Sequence, residues 1–168
     1  MTHETTDLEQ DIARIAEQER RLRFTSFNEE TAWDLGSRLR ALATARGVAV
    51  TIEVRLAGET AFFCSMSGTS PANADWARRK RNTVELLSRS SYGVGRSLEL
   101  EGSSLEARMG LPTRDYASHG GSVPLFASGG LCIGAVTVSG LPQRDDHALV
   151  IEALATLCGV PLSEVAMA

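Results

Sequence analysis

The chain has 168 residues, of which 43% are hydrophobic and 23% are charged, and its formal net charge is −4 at pH 7. This composition is ordinary for a globular protein. The chain is long enough to bury a core in one domain, which we expect to span residues 1–168. The weak negative charge gives no electrostatic reason to expect nucleic acid or an anionic membrane as a partner.

The cysteines and the N-terminus give two further expectations. Cys64, Cys132 and Cys158 are widely spaced and form no CxxC pair or Cys/His metal spacing. We therefore expect free thiols, a cytoplasmic protein and no metal site. The N-terminus is polar and acidic, unlike a signal peptide, and no apolar stretch approaches the roughly 20 residues that span a bilayer.

Two helices are predicted at the start of the chain. The first covers residues 7–21 and carries a narrow apolar stripe, which is typical of a helix that packs on another element or on a neighbouring subunit. The second begins after Asn28, a favourable N-cap residue, and ends at Gly47.

The alternation of apolar and more polar residues over 48–56 predicts a strand, and residues 60–66 predict its return in an antiparallel hairpin. A helix is expected from about residue 73 to 88. The glycine-punctuated residues 90–95 are compatible with either a helix or a turn, and residues 103–119 contain a short helix-like piece in mostly irregular chain. A second hairpin lies within residues 122–138, where Pro124 indicates an edge strand or a bulge. An apolar helix then runs to Gly159, so the order predicts an α+β domain with an antiparallel sheet flanked by helices.

Lys80 and His147 both interrupt apolar helix faces. Lys80 is four residues from both Trp76 and Val84, so its ammonium group either extends to solvent along its stem or meets an anion. His147 precedes Val150 by three residues and is either a hydrogen-bonded core histidine or a ligand-binding or proton-carrying group, with adjacent aspartates able to hold a cationic imidazole.

Glycine turns surround the last hairpin. His119 precedes Gly120 and Gly121, and Ser139 precedes Gly140, so the backbone at both places either turns tightly or approaches a ligand closely. No nucleophile elbow, phosphate-binding loop, dinucleotide fingerprint or triad spacing is present, and no catalytic residue is assigned.

The hairpin and several earlier segments resemble the haem-degrading-domain superfamily, which includes extracellular haem-binding sensor proteins and glycolate-operon accessory proteins. The similarity is greatest to a branch of about this length and covers roughly residues 8–157. The segments that carry it are Phe27–Trp33, Thr69–Trp76, Arg79–Arg81, Arg89–Tyr92, His119–Gly121, Val123–Leu125, Ile133–Gln143 and Asp146–His147.

The resemblance implies a profilin-like sheet flanked by helices, a homo-oligomer, and haem as a candidate cofactor. As a pattern, the glycolate-operon proteins lack the basic run at 79–81 and the histidine at 147, so no haem ligand carries over. Two classes of function remain: a protein that binds haem or a small anionic metabolite, and a scaffolding oligomer. An enzyme of oxidative haem breakdown follows from the superfamily alone.

The candidate binding site is formed by polar residues on two apolar helix faces together with the glycine turns. We expect Lys80 and His147 to face one pocket, beside the turns at His119–Gly121 and Ser139–Gly140. An anionic group, such as a carboxylate, a phosphate or a haem propionate, is the expected occupant. Replacement of Lys80 by alanine is then expected to weaken binding and to leave folding intact.

Overall fold

The computed structural model describes residues 3–168, in which two pairs of strands are separated by three consecutive helices. The helices in this part of the chain are α1 (His3–Arg21), α2 (Glu29–Ala45), α3 (Pro71–Leu87), α4 (Ser91–Leu100), α5 (Leu105–Met109), α6 (Gln143–Cys158) and α7 (Leu162–Val165). The strands are β1 (Arg23–Phe24), β2 (Thr51–Leu56), β3 (Glu59–Ser65), β4 (Ser122–Ala127) and β5 (Cys132–Ser139).

The strands form one sheet in the order β1-β4-β5-β2-β3. Every neighbouring pair is antiparallel except β1 and β4, which are parallel at Arg23 opposite Phe126 and Phe24 opposite Ala127. The predicted α+β class and the flanked sheet are confirmed, but the sheet is mixed rather than antiparallel. A strand of two residues has too few positions to show a periodic pattern, which is why β1 was not predicted.

Helices cover both faces of the sheet, so its centre is buried on each side. Helices α2 and α6 pack on one face, and α3 packs on the other. On β2, Ile52 and Val54 belong to the main core, while Glu53 on the opposite face is buried and pairs with Arg81 of α3. The alternation along β2 therefore separates two buried faces of the strand, one apolar and one polar.

The apolar stripe of α1 is buried within its own chain. Leu8, Ile15 and Leu22 are inaccessible to solvent, and the helix packs on α4 and α7. The helix includes His3, so it begins earlier than the predicted residue 7. Because this chain covers the stripe, a neighbouring subunit is not needed to bury it.

Helix α4 begins in the stretch that is compatible with either a helix or a turn from sequence, with glycines at positions 93 and 95, and the helix is the alternative that holds. The Ser90 side chain accepts a hydrogen bond from the Gly93 N–H and so caps the helix. A Cβ atom at Gly95 would collide with the carbonyl oxygen of Ser118. These glycines thus permit close packing of a helix, although they resemble turn residues in the sequence.

The two sheet edges differ in how they are protected. Strand β1 covers β4 only at Phe126 and Ala127, so Pro124 lies beyond that cover, and the β4–β5 register shifts after Leu125. Pro124 was expected on an edge strand or at a bulge: β4 lies inside the sheet order, and the bulge follows one residue after Pro124. At the other edge, β3 pairs with β2 alone, and no strand within residues 3–168 covers its outer side. All three cysteines are free, as predicted, and none of the described helices is both long and apolar enough to cross a membrane.

Candidate functional site

A cavity of about 240 Å³ lies between α3, the turn that leads into β4, and the first turn of α6. We call it the His119 pocket. Its lining residues combine aromatic, amide and charged side chains with one glycine turn. They are Asn73, Trp76, Lys80, His119, Ser139, Gly140, Leu141, Gln143 and Asp146.

The glycine turns hold the wall of this pocket tightly together. Gly121 has φ +131° and Gly140 has φ +156°, in the region that favours glycine. A Cβ atom at Gly120 would collide with the carbonyl oxygen of Gln143, and one at Gly121 would collide with that of Val138. The predicted glycine pair therefore serves close packing of the His119 turn against α6 and β5.

Lys80 meets a carboxylate of its own chain rather than solvent. Its Nζ is 2.9 Å from Asp146 Oδ2 and donates a second hydrogen bond to the carbonyl oxygen of Val138 at 3.2 Å. The side chains of Lys80 and Asp146 are only 4% and 1% exposed. The anion that Lys80 meets is thus a side chain of the same protein, and binding of a ligand anion by Lys80 stays a prediction. The alternative, an ammonium that reaches solvent, is wrong because α3 buries the whole side chain against the sheet.

Asp146 is held by the backbone as well as by Lys80. Its Oδ1 accepts a hydrogen bond from the Leu141 N–H at 2.9 Å, and its Oδ2 accepts one from Gly140 at 3.3 Å. Burial lowers the pKa of Lys80 and raises the pKa of Asp146, and their mutual attraction opposes both shifts without reversing them. Transfer of a proton between the two groups is therefore easier here than in water.

His119 is the imidazole of the pocket, and it is open to solvent. Its ring lies edge-on to Trp76 with centroids 4.8 Å apart, and the guanidinium of Arg79 lies over the Trp76 ring at 4.3 Å. Burial, followed by the positive charges of Lys80 and Arg79, lowers the pKa of His119. Its ring nitrogens form no hydrogen bond among the described residues. The imidazole is thus neutral at pH 7 and free to bind a further group.

Asn73 and Gln143 present their amide NH₂ groups without a partner from residues 3–168. The Oδ1 atom of Asn73 accepts the Ser70 N–H at 2.9 Å, and the Oε1 atom of Gln143 accepts the Gly120 N–H at 3.1 Å. These backbone bonds fix which end of each amide is the oxygen. The remaining ends are donors, so the lining offers more free donors than free acceptors.

His147 does not share this pocket, and the expectation that it faces the same cavity as Lys80 is wrong. Its ring is completely buried, with Nε2 2.8 Å from Gln18 Oε1 of α1, and it packs against Tyr92. Burial lowers its pKa to about 3, so it is neutral and is not held as a cation by Asp146. Adjacent residues of a helix point about 100° apart, and here Asp146 faces the pocket while His147 faces α1.

The sequence reasoning thus placed Lys80, His119, Ser139 and Gly140 around one cavity, with Gly120 and Gly121 in the adjoining turn. It missed Asp146 as the partner of Lys80. One available signal was overlooked: the chain has seventeen lysine and arginine residues, and Lys80 is the only lysine. When the only lysine of a chain lies on an apolar helix face, it indicates a buried partner or a specific chemical use of the amine.

A larger groove of about 890 Å³ lies beside α1, away from the His119 pocket. Two of its three arginines are in ion pairs: Arg96 and Arg144 both contact Asp11, and Arg144 also donates to the carbonyl oxygen of Ala168. The third, Arg14, donates to the carbonyl oxygen of Glu164. Across residues 3–168, no cluster of three or more His, Cys, Asp or Glu side chains is arranged to hold a metal ion.

Comparison with known proteins places the chain in a family. A UPF0303 protein of Azotobacter vinelandii is 54% identical over 161 residues, covering 96% of this chain and 97% of the relative. One from Edwardsiella ictaluri is 52% identical over 152 residues, or 90% of this chain and 97% of the relative.

Solved structures share the fold. Ybr137w superposes with a TM-score of 0.81 at 25% identity, over 88% of this chain and 87% of that chain. HbpS superposes with a TM-score of 0.64 at 20% identity, over 80% of this chain and 92% of that chain. The PduOC:Heme complex superposes with a TM-score of 0.65 at 20% identity, over 77% of this chain and 92% of that chain. The family described as "Haem degrading protein HbpS-like" matches residues 27–155, and the chain belongs to that family.

Proposed function

We propose that the chain is a ligand-binding protein and that a small anionic molecule occupies the His119 pocket. The observation that carries the proposal is the surplus of free donors: the NH₂ groups of Asn73 and Gln143, and the unpaired imidazole of His119. Lys80 has one N–H beyond the two that it uses. Asn73 is partly buried, and Gln143 and His119 are open to solvent, so a ligand can reach all three donors. A carboxylate or a phosphate supplies acceptors for several of them in one group.

The size and charge of the pocket support the same class of ligand. Its volume of about 240 Å³ lies below the roughly 300–1,000 Å³ that encloses drug-sized molecules, so it suits a small metabolite. The charges of Lys80 and Asp146 offset each other, and Arg79 adds a positive charge next to Trp76. An anion therefore meets donors and one nearby cation rather than an unpaired carboxylate.

Calorimetry with lactate, succinate and inorganic phosphate tests this proposal. Asn73→Asp keeps the oxygen that accepts the Ser70 N–H but replaces the NH₂ donor with negative charge. We expect it to weaken binding at least about tenfold, the size of a lost charge-assisted hydrogen bond. Gln10→Glu, which adds the same charge on an exposed position of α1, is the matched control and should leave the affinity unchanged. Equal affinities of both variants for every anion would contradict the proposal.

Haem is the second candidate ligand, and His119 favours it. A neutral imidazole with a free ring nitrogen is the group that holds haem iron in many proteins. The matched family is described as haem degrading, and one structural neighbour is a haem complex. The cavity does not enclose a macrocycle, so haem would lie across its mouth with His119 as the iron ligand. Oxidative haem breakdown would require this binding first.

Titration with haem distinguishes the two ligands. Binding through His119 should give a shifted Soret band that is lost in His119→Ala and kept in Gln10→Glu. A band that is the same in His119→Ala would show that His119 holds no haem iron. Absence of any Soret shift would leave the small anion as the ligand and remove haem breakdown from consideration.

We further propose a homo-oligomer in the cytoplasm. The uncovered edge strand β3 carries Phe63, which is 52% exposed, and neighbouring α2 carries Trp33, which is 61% exposed. Large exposed apolar side chains beside a free strand edge favour association. The three free cysteines support a reducing compartment. A scaffolding role without a small ligand is the alternative, in which water satisfies the free donors of the His119 pocket.

A further inference from the structure

Lys80 is the only lysine in a chain that uses arginine for every other long cationic side chain. Its amine lies at the wall of the His119 pocket, buried and 2.9 Å from a carboxylate. An arginine is protonated under all ordinary conditions, whereas a lysine can give up its proton when it is buried. The sole lysine thus stands at the one place in this chain where loss of that proton is favoured.

Asp146 is placed to take that proton. It contacts Lys80 directly through Oδ2, and the N–H groups of Gly140 and Leu141 hold the carboxylate in position. Burial shifts the pKa of Lys80 downward and that of Asp146 upward, which brings the two groups closer to sharing one proton. An amine must lose its proton to act as a nucleophile, and burial of a lysine favours that loss.

We propose that Lys80 forms an imine with the carbonyl carbon of a small 2-oxo acid bound in the His119 pocket. The inference rests on the proposed binding of a small anion and adds to it a reactive group on the ligand. The free donors of Asn73, Gln143 and His119 hold the carboxylate of the ligand. The carbonyl next to that carboxylate then lies within a cavity whose volume admits only a small molecule.

The reaction balances without any oxidant or reductant. The Lys80 ammonium first passes a proton to the Asp146 carboxylate. The amine lone pair then attacks the carbonyl carbon, and the oxygen takes the proton from Asp146. The new nitrogen–carbon bond gives a carbinolamine after Asp146 removes one proton from nitrogen. Asp146 returns that proton to the hydroxyl, which leaves as water, and a protonated imine remains beside the Asp146 carboxylate.

Reductive trapping of the intact protein tests the inference. The protein is incubated with pyruvate and cyanoborohydride, cleaved after glutamate, and mapped by mass spectrometry. The fragment that follows Glu59 and ends at Glu85 contains Lys80, and the N-terminal amine falls in a different fragment. We expect one reduced pyruvate adduct on this fragment in most of the protein. Adducts confined to other fragments, or none at all, would overturn the inference.

Two variants and two further probes show why trapping succeeds or fails. Lys80→Arg should remove the adduct. Asp146→Asn keeps an oxygen for the backbone N–H groups and should slow trapping at least tenfold, and an unchanged rate would remove Asp146 from the reaction. Lactate has no ketone, so binding of lactate without trapping of pyruvate would overturn the imine and leave anion binding intact. Trapping of propanal but not pyruvate at Lys80 would support amine chemistry and overturn the anionic ligand.

Discussion

Lys80 and Asp146 depend on each other because each removes the cost of burying the other. Both side chains are almost fully inaccessible, and their contact replaces the water that either charge would have in the unfolded chain. The expectation that Lys80 could be removed without harm to folding assumed a side chain that reaches solvent. With the ammonium buried, its removal leaves the Asp146 carboxylate without its partner.

Lys80→Met should therefore destabilise the protein by about 3–5 kcal/mol, the usual cost of an unpaired buried charge. The double variant Lys80→Met/Asp146→Asn removes both charges and keeps an oxygen for the Leu141 N–H. We expect it to recover most of the loss in urea unfolding. If Lys80→Met and the double variant are equally stable, the broken ion pair is not the reason for the loss of stability.

At the scale of the elements, the sequence predicted those with a clear period and missed those without one. The alternation in β2 and the apolar stripes of α1 and α2 identified their elements correctly. Helix α4 remained undecided between helix and turn because its glycines resemble turn residues, although they permit close packing. His147 was assigned to the wrong cavity because α6 is buried on several sides, and a period does not show which neighbour a buried residue faces.

The contact between α1 and α6 makes stability depend on pH through His147. Burial holds its pKa at about 3, below the ordinary value of 6.5, so the unfolded chain binds a proton more readily. Its contribution is complete above about pH 6.5 and is lost as the pH falls toward 3, by roughly 1.4 kcal/mol per unit. Urea unfolding at pH 7, 5 and 4 should show this slope, and His147→Gln should flatten it. An equal slope in the variant would assign the loss to other groups.

For the whole molecule, the exposed edge of the sheet makes association the expected state. Light scattering at micromolar concentration should give the mass of at least two chains of 18.0 kDa each. Phe63→Glu should lower that mass, because a charge on the uncovered strand opposes pairing. Leu131→Glu changes an apolar side chain that is also exposed, but at the turn between β4 and β5, and is the matched control. A mass of about 18.0 kDa for the unmodified protein would contradict the proposal.

A chain whose only lysine is buried contains its own reporter of structural opening. A bulky amine-directed dye has no access to Lys80 in the folded protein and gains it only when α3 separates from the sheet. The rate of dye incorporation at this one residue then measures how often that separation occurs. Since Lys80 is the only lysine, peptide mapping separates its label from that of the N-terminal amine without any engineered residue, and a bound ligand that bridges α3 and α6 would slow labelling at Lys80.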